Sequence, residues 1–217
     1  MIQLPDFSKA FEYENNFYLS CDTTRISKMI AHYELYKMVR DLPGSIVECG
    51  VFKGCSLVRF TAFRTLLNNS FSKKIIGFDT FGGFPETNFV PDKKFRQHLI
   101  DTAGEHSISK QQLLDVLKQK GLDKSVELVE GDITTTVPGY VESHPELKIA
   151  LLNLDVDIYE PSTAILEHLY PRIVQGGILV LDDYGVWPGE TKAVDEYFKD
   201  KKNKICKRAV IMISGQR

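Results

Sequence analysis

The chain has 217 residues, 43% of them hydrophobic, with 27 basic and 29 acidic side chains and a formal charge of -2. That is enough for one α/β domain with a sizeable core, and the lack of a basic excess argues against a general nucleic-acid binder. No apolar run approaches the ~20 residues of a bilayer-spanning helix, so no membrane span is expected.

Residues 1–23 mix polar and aromatic positions, including Phe7, Phe11, Tyr13, Phe17 and Tyr18. They read as an N-terminal arm ahead of a domain over 24–217. The arm suits packing on that domain, cover for a site, or a homodimer contact. Its start, Met-Ile-Gln-Leu-Pro-Asp, has no basic region followed by an apolar core and does not read as a signal peptide. From Thr24 to Arg40 the spacing of Ile26, Met29, Ile30, Tyr33, Tyr36 and Val39 predicts a helix, ended by Asp41-Leu-Pro-Gly44.

Strands and helices then alternate. Strands are expected at Ile46–Cys49, Lys74–Asp79, Val126–Glu130, Ile149–Leu154, Ile178–Leu181 and Ala209–Ile213. Helices are expected at Leu57–Leu67, after Ser109-Lys-Gln-Gln112, at Ser162–Tyr170 behind Pro161, and at Thr191–Lys199. Continuous apolar strands suit burial on both faces, and the alternation predicts an open, mostly parallel sheet with helices on both faces. The connection from Phe81 to Ser125 breaks the rhythm. Its part at 84–107, rich in Pro, Gly, Asp, Lys and His, reads as a lid insertion over a ligand site. The basic cluster from Lys199 to Arg208 reads as a solvated helix end and loop.

The first strand runs into Glu48-Cys-Gly50-Val-Phe-Lys-Gly54-Cys-Ser56 and a helix. Glycines let backbone amides approach a ligand, and a helix N-terminus favours its negative group. The spacing is neither the Gly-x-Gly-x-x-Gly of dinucleotide sites nor a phosphate loop. It fits a smaller adenosyl ligand carrying a carboxylate, S-adenosylmethionine. The same segment also reads as a purely structural strand-turn-helix, with Ser56 as a helix cap.

Carboxylates recur at the carboxyl ends of the strands, where ligands bind in such sheets. Asp79, with Thr80 after it, ends the second strand, and its carboxylate suits the hydroxyls of a ribose. Asp132 follows the third strand and suits an adenine amino group. Either also reads as a cap or turn residue. Asp155 and Asp157 end the fourth strand, Asp182 and Asp183 the fifth. Clustered like charges repel unless a cation neutralises them, and oxygen ligands without His or Cys suit Mg²⁺ or Ca²⁺; the same aspartates also read as acidic loops with no metal. Asp155 and Asp157 alternate along an extended segment and are expected on opposite sides, one on metal and the other as a base. His98 and His106 lie in the lid as candidates for substrate contact, while His32 and His168 read as ordinary helix positions. Trp187 suits either an acceptor pocket or packing. The four cysteines show no metal spacing and fit a reducing cytoplasm.

Taken together, Val47-Glu-Cys-Gly-Val-Phe-Lys-Gly-Cys-Ser56, Gly77-Phe-Asp-Thr-Phe-Gly-Gly-Phe-Pro85, Leu154-Asp-Val-Asp-Ile-Tyr-Glu-Pro161 and Gly176-Gly-Ile-Leu-Val-Leu-Asp-Asp-Tyr-Gly185 resemble the macrocin O-methyltransferase family over about residues 24–200. The resemblance implies a Rossmann-like class I methyltransferase fold and Mg²⁺-dependent O-methylation from S-adenosylmethionine, with sugar hydroxyls of glycosides among the family's acceptors. It implies Asp155, Asp182 and Asp183 as metal ligands and Asp157 as the general base. Glu48, Gly50, Asp79 and Asp132 would surround the donor, and Gly54, Ser56 and Thr80 belong to the same segments. Gly82 departs from the Glu often found there in antibiotic-modifying members. Two other readings share the fold: methylation of a phenol or catechol, and a non-catalytic adenosyl-ligand binder.

Overall fold

The computed structural model describes residues 2–199 and a short strand at 210–212. Six strands, β1 (Ser45–Cys49), β2 (Ile75–Asp79), β3 (Val126–Glu130), β4 (Ile149–Leu154), β5 (Ile173–Leu181) and β6 (Val210–Met212), form one sheet in the order β3-β2-β1-β4-β5-β6. All five pairings are parallel. The helices are α1 (Ala10–Ser20), α2 (Thr23–Val39), α3 (Cys55–Leu67), α4 (Val90–Ala103), α5 (Lys110–Gln119), α6 (Ile133–Ser143), α7 (Tyr159–His168) and α8 (Pro188–Phe198).

The sheet is buried on both faces because every central strand carries apolar side chains on both. Val47, Ile76, Leu152 and Leu179 pack with residues of α6, α7 and α8, such as Val137, Ile165 and Val194. Ile46, Ile75, Leu151 and Ile178 pack with residues of α2, α3 and α5, such as Tyr36, Phe60 and Leu113. Each such fully buried side chain contributes roughly 1.5–3 kcal/mol. From β1 the chain runs outward to β3, then returns to β4 on the other side. The carboxyl ends of β1 and β4 therefore flank the topological switch point, where an open α/β sheet leaves a crevice.

Backbone contact draws that crevice tight. Asp155 N donates to Cys49 O at 2.9 Å. Gly50, next in the chain, has φ +90°, and a Cβ there would lie 1.7 Å from Asp155 O. Only glycine satisfies both conditions.

Several elements differ from expectation. The helix expected from Ser162 starts at Tyr159; Pro161 sits in its first turn, where a missing N–H costs little. The last helix likewise starts earlier, at Pro188. β5 extends back to Ile173, through Gly176 and Gly177. Helix α6 was not expected, because Pro138 and Gly139 interrupt its pattern. It forms around Asp132, which accepts from Thr134 N at 2.8 Å, and it buries Ile133, Val137, Tyr140 and Val141. Of the last expected strand, Val210–Met212 is present, while Ala209 and Ile213 lie outside the described residues. Most of the basic cluster lies outside them too. The arm contains helix α1, which buries none of its residues and leaves Phe11 77% and Leu19 86% exposed. No helix among the described residues is long and apolar enough to cross a membrane.

The segment at 84–107 is not a bare loop, since α4 occupies its middle. Asp92 in the first turn of α4 is fully buried. Its Oδ2 accepts from Tyr159 N at 3.0 Å and its Oδ1 from Gly189 N at 2.8 Å. One carboxylate thus joins the N-terminal turns of α7 and α8, whose amides have no intrahelical partner. Glu160 answers from α7 by accepting from Thr87 Oγ1 at 2.9 Å and Asn88 N at 2.7 Å. Leu99, Ile158 and Trp187 close a small apolar cluster with Phe84. Trp187 is therefore a packing residue beneath the segment. Asp92→Ala orphans one buried and one half-buried amide and should cost roughly 1–3 kcal/mol in denaturant unfolding, with faster proteolysis within 84–107; unchanged stability would show that the clamp is idle.

Candidate active site

A cleft of about 460 Å³ opens at the switch point. Of the expected site residues, Gly50, Asp79, Thr80, Asp132, Asp155 and Asp157 line it. The segment at 84–107 supplies a wall that includes Phe84, Asn88, Leu99 and Ser107. Glu48, Gly54, Ser56, Asp182 and Asp183 lie outside the lining. His98 and His106 are exposed and do not line it either.

At one end of the cleft, Asp79 organises three segments. Its Oδ2 accepts from Val51 N at 2.8 Å and Phe52 N at 3.0 Å. Its Oδ1 accepts from Phe81 N at 2.7 Å and Ser107 Oγ at 2.8 Å. The glycine turn, the loop after β2 and the return of the wall segment are fastened to this one carboxylate. Thr80 Oγ1 donates to Gly83 O at 3.0 Å. Asp132 is exposed and uses Oδ1 to cap α6 through Thr134 N and Thr134 Oγ1.

Gly54 precedes α3 with φ +82°, and no side chain caps that helix. A Cβ at Gly54 would lie 3.0 Å from Leu113 Cδ1, so the residue lets α5 pack closely. Ser56, expected as a cap, instead donates its hydroxyl to Glu48 Oε1. Glu48 points to the α2/α3 face and is fully buried. Burial pushes its carboxyl up to about 8, against the bond from Ser56 and aided by the charge of Asp155.

The acidic end departs most from expectation. The segment Asp155-Val-Asp157 is not extended. Asp157 has φ +67°, a left-handed conformation uncommon for a non-glycine residue, and Ile158 N donates to Val156 O at 2.7 Å. This turn brings Asp155 and Asp157 to one site instead of opposite sides. One oxygen each of Asp155, Asp157 and Asp183 lie within 4.8 Å of one another. Asp182, expected as a ligand beside them, is outside the trio. Its Oδ2 lies 2.6 Å from Lys28 Nζ, which is also 3.5 Å from Asp155 Oδ2. Burial and then the charge of Asp155 push the Asp182 carboxyl up to about 7, opposed by Lys28. Glu190 Oε1 accepts from Asp183 N at 3.1 Å, and burial holds the Glu190 carboxyl well above the usual range.

Lys28, Asp92, Ser107 and Glu190 escaped sequence reasoning. Lys28 is one lysine within a mixed helix, and Asp92 behind Pro91 reads as an ordinary first-turn acid. Glu160 stood in a motif that carried the resemblance, but nothing in the sequence pointed to its contacts with Thr87 and Asn88. His32, read as an ordinary helix position, is fully buried, stacks on Phe60 at 4.9 Å and lies 3.1 Å from Arg59. Burial, then Arg59 and Lys28, push its imidazole down to about 3.

The family described as macrocin-O-methyltransferase (TylF) matches residues 23–213. A tetracenomycin-C 4'-O-methyltransferase of Streptomyces olivaceus, named for its 2,3-dimethoxy-α-L-rhamnosyl acceptor, is 30% identical over 67% of this chain and 54% of its own length. Demethyldecarbamoylnovobiocin O-methyltransferase of Streptomyces niveus is 29% identical over 72% of this chain and 59% of its own. The chain thus spans a little over half the length of these curated relatives. Among solved structures, the calicheamicin methyltransferase CalS11 superposes with TM-score 0.70 at 32% identity, covering 85% of this chain and 76% of that one. The O-methyltransferase NovP superposes with TM-score 0.69 at 25% identity, covering 83% and 73%.

Glu48 yields a test of the buried acid behind the cleft. Its raised value means that the neutral form favours the folded state. Its contribution to stability is complete below about pH 4.5 and is lost as pH rises through about 8. Melting curves of Glu48→Gln and the wild type should run closest at the acid end of that window. The Gln variant should be the more stable at the alkaline end; parallel curves throughout would refute the shift.

Proposed function

Because the chain belongs to the macrocin-O-methyltransferase family, we propose that it is an O-methyltransferase that uses S-adenosylmethionine and Mg²⁺ to methylate a sugar hydroxyl of a glycoside or glycan precursor. The observation that carries this reading is a cleft that starts at the glycine turn and ends at Asp155 and Asp157, with Asp183 drawn in beside them.

Both groups suit the residues present. Asp155 and Asp183, hard oxygen donors with no His or Cys beside them, fit Mg²⁺, and an oxygen of Asp157 stands within 4.8 Å of both. For the donor, the cleft offers Gly50 backbone, apolar surface from Phe52, Ile133 and Val156, and polar groups at Thr80 and Asp132. The uncapped N-terminus of α3 favours a carboxylate near the glycine turn. When bound, S-adenosylmethionine supplies an already activated methyl group, and the divalent ion supplies positive charge that makes an acceptor hydroxyl more acidic.

The chain's own residues divide the remaining work. Asp155 and Asp183 hold positive charge at the end of the cleft. Asp157 lines the cleft beside them at 4% exposure, and it is the group to which we assign acceptance of the hydroxyl proton. The wall at 84–107 excludes water and shapes the acceptor space, and the Asp92 clamp holds it in place. Sugar acceptors are favoured over phenols by what the relatives are named for: a rhamnosyl group in one case and TDP-rhamnose, for CalS11, in another. A non-catalytic binder would have no need to gather the three carboxylates against their repulsion. The exposed side chains of α1 support a homodimer contact, and the free thiols of Cys21, Cys49 and Cys55 suit a reducing cytoplasm.

Three measurements check this reading. Calorimetry with S-adenosylhomocysteine should show binding both with Mg²⁺ and with chelator, since the donor end and the acidic end are separate; no binding in either would end the methyltransferase reading. With labelled donor and a panel of glycosides and catechols, Asp157→Asn should keep donor binding and lose roughly 10²–10⁴-fold in turnover. Asn tolerates the left-handed backbone, so normal turnover would remove Asp157 as the base. Light scattering at the mass of one chain would remove the homodimer.

A further inference from the structure

The cleft carries charge of one sign. Every ionisable side chain that lines it is a carboxylate, and no Lys, Arg or His among the described residues does so. Most of these acids have other duties. Asp79 accepts from four donors, Asp132 caps α6, and Asp155 and Asp157 stand where the divalent ion is proposed. Glu160 accepts from Thr87 Oγ1, Asn88 N and Phe89 N. Glu86 and Glu105 remain, both exposed on the wall at 84–107. They stand on adjoining runs of that wall, where Phe84 N donates to Glu105 O at 2.9 Å.

The cations nearest this wall are spent on the wall itself. Arg96 of α4 donates from Nε to Pro85 O at 2.7 Å and from Nη2 to Phe84 O at 2.9 Å, and it meets Glu86 Oε1 from outside the lining at 2.9 Å. Lys53 Nζ donates to His106 O. Neither lines the cleft, so an anion could recruit them only by dismantling the wall. A cleft of about 460 Å³ is near the low end of the range for one drug-sized ligand. The donor therefore fills much of it, and whatever is attached to the reacting sugar meets the wall. We propose that Glu86 and Glu105 are specificity-determining residues that reject anionic acceptors, so that the sugar is borne by an uncharged or amine-bearing group and not by a nucleoside diphosphate. The inference rests on the reading of the cleft as a sugar O-methyltransferase site. Charge of one sign focused in a cleft repels a like charge brought against it, and a diphosphate joined directly to the sugar cannot stay clear of the wall. The chain thereby parts from CalS11, named for TDP-rhamnose, and the reaction that supplies its substrate is a glycosyl transfer.

The test is calorimetry with thymidine diphosphate, titrated with Mg²⁺ present into the full chain loaded with S-adenosylhomocysteine. The wild type should bind it no more tightly than about 1 mM. The double variant Glu86→Lys, Glu105→Lys should bind it at least about tenfold more tightly than that, and added salt should erase the gain. The double variant Glu86→Gln, Glu105→Gln should show part of the gain, which an added lysine charge would not explain. Because changes at Glu86 also break its contact with Arg96, Glu105→Lys alone repeats the comparison. Binding of S-adenosylhomocysteine shows that each variant is folded. Wild-type binding of thymidine diphosphate tighter than about 1 mM, turnover of a thymidine-diphosphate sugar with labelled donor, or folded variants that gain no affinity overturns the proposal and leaves the methyltransferase reading standing. Absence of S-adenosylhomocysteine binding to the wild type ends both.

Discussion

Repulsion among sheltered carboxylates is the constraint around which this molecule is arranged. Asp155, Asp157, Asp182 and Asp183 end two adjacent parallel strands, and Glu48 and Glu190 stand behind them. Burial raises Glu48, Asp182 and Glu190, and the charge of Asp155 adds to each. Such a group is tolerable only with cations and donors placed against it. The packing of α2 and α3 across the same sheet face supplies them as Lys28, Arg59 and the hydroxyl of Ser56. A helix pair that looks like ordinary core cover is also the counter-charge of the site.

The sheet was legible because buried parallel strands are short continuous apolar runs, and five of them stand between clear turn residues. Helices α3 and α5 were legible from spacing and from the capping box at Ser109 and Gln112. Helix α6 was hidden by Pro138, whose local cost is outweighed by the burial of Val137 and Tyr140. Helix α4 was hidden because only Asp92 and Leu99 of its residues are buried, so it carries almost no apolar stripe.

That acids at strand ends stand around one cleft was legible for Asp79, Asp132, Asp155 and Asp157; the contacts that divide the acidic group were not. Alternation along a strand placed Asp155 and Asp157 apart, but the chain leaves the strand after Leu154, and a single left-handed residue undoes the alternation. Contacts between residues distant in sequence, Lys28 with Asp182 or Ser107 with Asp79, leave no local trace. Asp79 carries a similar lesson. A carboxylate that suits a ribose already accepts from Val51, Phe52, Phe81 and Ser107, so its first duty is to hold the loops that form the cleft.

The glycine at position 50 has a further consequence. Where a Cβ would collide with Asp155 O, main chain touches main chain, and no side chain separates the glycine turn from the acidic end. The span between the proposed methyl source and the proposed acceptor oxygen is therefore a ruler graduated in peptide units. Substitutions along the wall at 84–107 can recut the outline of what is admitted without altering that span.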